Sequence, residues 1–157
     1  MTDVIDEVLG LQAGDDLYAL RNTRPAVKEG LQGVYDAIYD PASSTLNQLS
    51  LDERAAVALR VCLVADVKPL AEHYRARITD EAVREAAISG RSDDARLSRI
   101  LEHATLVAAS PDQSGRAQID ALREAGLDET ALVTLTQTIA YTSFQLRVVA
   151  GLYMIGY

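Results

Sequence analysis

One cysteine, two histidines and no cluster of basic residues are all that this 157-residue chain offers to most chemistries. A single thiol, Cys62, excludes an intramolecular disulfide and a C-x-x-C pair. His73 and His103 share no H-x-x-x-H spacing, so neither a metal site nor a cofactor is expected. Lysine and arginine number 15 against 23 acidic residues, for a net charge of −8. Without a basic patch, neither a nucleic-acid backbone nor an anionic membrane surface is an expected partner. No apolar run reaches the roughly 18 residues that a membrane helix needs, and the longest, near the C-terminus, is interrupted by Arg147. The opening MTDVIDEVLG is acidic and lacks the basic and apolar regions of a signal peptide. A cytoplasmic location is the resulting expectation.

What the chain does have is helix-forming pattern from end to end. Hydrophobic residues are 48% and charged residues 24%, the mix of a single domain with a real core, spanning 1–157. Val4, Ile5, Val8 and Leu9 predict a short helix stopped by Gly10, and a second short helix follows through Leu20. Pro25 opens a longer one to Tyr39, with Val27, Leu31, Val34, Tyr35 and Ile38 as its apolar face. Asp40-Pro41 ends it, and 41–48 reads as a polar loop. Thr79 and Ser92 read as caps of two further helices, stopped at Gly90 and Ser110-Pro111. Arg116–Ala125 and a last helix capped by Asp128 complete the chain. No segment alternates like a strand. The expectation is all-α, with roughly seven or eight helices and leading helices over 1–48.

The stretch 49–78 organises the rest. Ser50-Leu51-Asp52-Glu53 is a capping box. Ala55 to Ala65 is apolar nearly all round, broken by Arg60, as in a helix buried on most faces. Asp66-Val67-Lys68-Pro69 breaks it, and a second helix carries His73.

Taken together, LSLDERAAVALRV at 49–61, His73 in LAEHY, and ALREAGLDETALVTLTQTIAYTSFQLRVVAGL at 121–152 resemble the carboxymuconolactone decarboxylase family, whose redox branch is the alkyl hydroperoxidase D type. The match covers residues 49 to 152, about two-thirds of the chain. The resemblance implies an all-α fold assembled into homo-oligomers and, in the redox branch, a peroxidase-type oxidoreductase with a C-x-x-C dithiol activated by a histidine and a glutamate. Counting back from His73, the dithiol positions fall on Asp66 and Pro69, and the helper glutamate falls near Arg54 or Ala55, with Glu53 the nearest carboxylate. A peroxide-reducing thiolate needs a second thiol to resolve its sulfenic acid, and neither Asp66 nor Pro69 supplies one.

Three expectations follow. The first is an alkyl hydroperoxidase D-like protein without thiol peroxidase activity. The second is an acid/base enzyme on a small lactone or carboxylate, with His73 as the proton-transfer group and Asp66 or Glu72 beside it. The third is a non-enzymatic dimer, trimer or hexamer that binds a small molecule or an active relative. Cys62, on the apolar helix, reads as an inert buried thiol. Arg60 and Arg147 read as structural ion pairs, and His103 as surface decoration. Tyr141, Tyr153, Tyr157 and Phe144 read as core or interface.

Overall fold

The capping box builds the hub of the molecule. In the computed structural model, which describes residues 3–44 and 49–156, the Ser50 hydroxyl accepts from the Glu53 amide and the Glu53 carboxylate accepts from the Ser50 amide. Ten helical segments and one 3-10 turn make up the described residues, with no strand among them. They are α1 (Val4–Leu9), α2 (Asp16–Arg21), α3 (Pro25–Tyr39), α4 (Pro41–Ser44), α5 (Leu51–Val64), α6 (Lys68–Arg77), α7 (Glu81–Ser89), α8 (Ala95–Ala109), the turn Pro111–Gln113, α9 (Arg116–Glu124) and α10 (Glu129–Gly156). None of the described helices is long and apolar enough to cross a membrane.

α5 packs against α3, α6, α7, α8 and α10. Val57, Ala58, Leu59, Val61 and Cys62 on it are closed to solvent, and each fully buried valine or leucine contributes about 1.5–3 kcal/mol. Arg54 is equally buried. Its Nε donates to the Leu49 carbonyl at 3.0 Å and its Nη1 to the Ile38 carbonyl at 2.6 Å, which ties the end of α3 to the start of α5. Among the described residues Arg60 forms no ion pair. It donates to the Thr105 hydroxyl at 2.9 Å and the Ile88 carbonyl at 3.2 Å. A Cβ on Gly90 would lie 2.9 Å from its guanidinium carbon, so this glycine serves both the left-handed end of α7 and the close approach of Arg60.

Several local expectations are corrected. Pro41–Ser44 is a helical turn; residues 45–48 of the expected loop lie outside the described residues. Asp80 and Asp94, not Thr79 and Ser92, cap α7 and α8, because their carboxylates reach the first-turn amides. Thr79 instead donates to Asp52. On α3, Val27 and Val34 face outward, and Lys28, Tyr35, Ile38 and Tyr39 face in. The rotation follows from what α3 must meet: Lys28 pairs with buried Asp6, and Arg21 pairs with Asp3 and Asp6, which fastens α1 to α2 and α3. Burial alone would raise the Asp3 carboxyl, but the Arg21 and Asp6 hydrogen bonds and the charges of Arg21 and Lys28 outweigh it and hold it below its ordinary value.

Candidate functional site: a histidine in a ring of tyrosines

The break after α5 is a Schellman closure. The Asp66 amide donates to the Leu63 carbonyl at 3.3 Å and the Val67 amide to the Cys62 carbonyl at 3.2 Å. Asp66 takes the left-handed position there, with φ of 55° where glycine is usual. The turn redirects the chain into α6, with Pro69 at its first turn, where a missing N–H costs nothing.

α6 then sets His73, Tyr74 and Arg77 against α3, whose Tyr35 and Tyr39 lie one turn apart on its inner face. The Tyr35 hydroxyl lies 2.7 Å from His73 Nε2. Four rings close a circuit: Tyr35 to Tyr39 at 5.0 Å, Tyr39 to Tyr74 at 5.7 Å, Tyr74 to His73 at 5.1 Å and His73 to Tyr35 at 5.7 Å between centroids. Such tilted and edge contacts suit the ring quadrupoles. The Arg77 guanidinium caps the circuit, 4.7 Å from the Tyr39 centroid and 5.3 Å from that of Tyr35.

A second chain of bonds runs beneath. The Tyr74 hydroxyl donates to Gln145 Oε1, Gln145 Nε2 donates to the Tyr141 hydroxyl at 3.3 Å, and Tyr141 donates to the Leu31 carbonyl at 2.9 Å. It links α6, α10 and α3 through buried groups that satisfy one another, an arrangement that fixes a unique packing.

The electrostatics favour neutrality. Burial first, and the Arg77 charge second, lower the His73 pKa to about 4. Burial raises the Tyr35 pKa to about 12, against the opposing pull of Arg77. Both partners are therefore uncharged at neutral pH, and the contact is a neutral hydrogen bond, not an ion pair. The two groups share one neutral hydrogen bond, whose direction is set by the ring tautomer. His73 is half-buried, and its Nδ1 makes no hydrogen bond among the described residues. Tyr39 is sealed in, and its hydroxyl has no partner among the described residues. Burial, with Tyr35 beside it, pushes that hydroxyl far up.

The other residues expected around His73 do not gather there. Asp66 is exposed. Pro69 lines a 620 Å³ cleft between α1, α2 and the end of α10. Glu72 is 71% exposed, 3.8 Å from Arg75. None of the three bonds to His73. The Glu53 carboxylate is taken by the Ser50 amide and Arg96. Cys62 is closed to solvent, and burial drives its thiol far up, so it stays protonated.

The sequence reading missed Tyr35, Tyr39, Tyr74 and Arg77 as companions of His73. The signal was the aromatic inventory: seven tyrosines against one phenylalanine and no tryptophan, so most rings carry a hydroxyl that wants a partner when buried. His103 is also corrected. It is 7% exposed, not surface decoration, and its Nδ1 is a buried atom without a partner among the described residues.

Compared with known protein families, with curated proteins and with solved structures, the chain matches none. The class defined by its own fold is an all-α bundle wrapped around one buried helix.

Proposed function

We propose that this is a carboxymuconolactone decarboxylase-like protein of the alkyl hydroperoxidase D type that lacks thiol peroxidase activity and works by binding, as a homo-oligomer. One observation carries the reading. The only thiol is closed to solvent inside α5 and held protonated, and the turn where the family resemblance places a dithiol holds Asp66 and Pro69. The oligomer is supported by apolar side chains left in solvent. Val27 and Val34 on α3 are 48% and 44% exposed, and Val133 and Phe144 on α10 are 55% and 42% exposed. A purified sample challenged with an alkyl hydroperoxide and a dithiol reductant should show turnover no faster than buffer. Turnover that disappears in Cys62→Ser would overturn the reading.

An acid/base enzyme is the second reading, and it rests on the half-buried His73 ring with Nδ1 uncommitted. A group with a pKa near 4 is a weak general base at neutral pH. Screening small lactones against wild type and His73→Ala decides it. Equal rates remove His73 from the mechanism.

A further inference from the structure

A cleft of 460 Å³ opens between α8, the 3-10 turn, the start of α9 and α10. It shares no residue with the ring cluster of α3 and α6. Its floor is apolar, with Val107, Ile119 and Ile139 packed against the core. Two polar groups in its wall stand out. His103 is more than nine-tenths buried, and its Nδ1 has no partner among the described residues. That nitrogen is closed to solvent, so it is not a contact that the cleft itself offers. Burial also lowers its pKa, so the ring is neutral at neutral pH. Arg147 also lines the cleft, from the exposed side of α10. It donates to the Ser143 carbonyl one turn back at 3.0 Å and has no acidic partner among the described residues. Arginine carries five N–H donors in a planar fork that matches a carboxylate.

From these features we infer that the cleft binds a small amphipathic monocarboxylate, with the apolar body on Val107, Ile119 and Ile139 and the carboxylate on Arg147. The volume lies in the range of small-molecule sites. A single cation above an apolar floor favours one anionic group on a hydrocarbon body over a polyanion or a sugar. This reading is independent of the thiol question: a peroxide result leaves it untouched.

Calorimetric titration of the whole chain with octanoate, and with octan-1-ol as the uncharged isostere, tests it. Octanoate should bind about tenfold tighter than the alcohol, the scale of one charge-assisted bond at a partly open site. Arg147→Gln, a change at an exposed position, should bring octanoate down to the alcohol and leave the alcohol unchanged. Equal binding of acid and alcohol to wild type, no heat with millimolar octanoate, or unchanged octanoate binding in Arg147→Gln would each overturn the inference.

Discussion

The two histidines sit in opposite settings, and exposure alone would rank them wrongly. His73 is half-buried yet engaged: Tyr35 holds Nε2, two tyrosine rings pack on its faces and edges, and Arg77 closes the circuit. His103 is more deeply buried, and its Nδ1 is closed to solvent with no partner among the described residues. A chemically placed group is one whose hydrogen-bonding capacity is either fully used or conspicuously unused. The first region bonds across helices through Tyr35, His73, Tyr74 and Gln145, and the second buries one ring nitrogen without a bond among the described residues.

The largest test of that contrast removes a ring from the first region. Tyr74 is fully buried and its hydroxyl reaches Gln145, so Tyr74→Ala should cost about 3–5 kcal/mol in urea unfolding. A cost under about 1 kcal/mol would mean that the rings are not packed as described.

Acid comes next. Below its ordinary value of 6.5 an unfolded histidine takes up a proton that folded His73 refuses until about 4. The unfolded state then binds more protons, so stability falls as pH drops through that window and is fully present above it. For this partly solvated ring the loss, discounted for screening, is about 1–2 kcal/mol. His103 adds a change of the same sign. Asp3 and Asp52, both held below 3.8, lose their contributions only at lower pH. His73→Gln should flatten the upper window in denaturation midpoints taken across it, and an unchanged slope would assign the effect elsewhere.

His103→Leu sharpens the other side. It replaces an unpartnered nitrogen with an apolar group of similar size, so thermal unfolding should show no loss and a gain of up to about 1 kcal/mol. A loss of about 2 kcal/mol would show that the imidazole has a structural partner after all. The smallest effect lies at the turn before His73. Asp66→Gly relieves a left-handed backbone and should add about 0.5 kcal/mol, leaving the His73 titration in place.

Much of the fold was legible in the sequence because its signals are local. The Ser50–Glu53 capping box, the Gly10 and Gly90 stops and the apolar run of α5 each act within one turn of chain. What was not legible depends on distant partners. The inward face of α3 is decided by Asp6, by His73 and by the Leu31 carbonyl that Tyr141 reaches. The Tyr35–His73 pair spans 38 residues, and spacing on either helix alone does not show that they meet. The last helix was expected to carry an apolar face to its end, yet Tyr153, Met154 and Ile155 lie largely in solvent, because α1 and α2 meet those final turns across an open cleft. Tyr157 lies outside the described residues.

His73 is an engaged imidazole, bonded to Tyr35 and neutral at neutral pH. Nitrogen-detected long-range NMR of the histidine rings across pH reads both its charge and its tautomer. The structure predicts a neutral ring from neutral pH down to about 4, with its Nε2 signal altered by Tyr35→Phe. An ordinary titration near 6.5, or a ring indifferent to Tyr35→Phe, would contradict it.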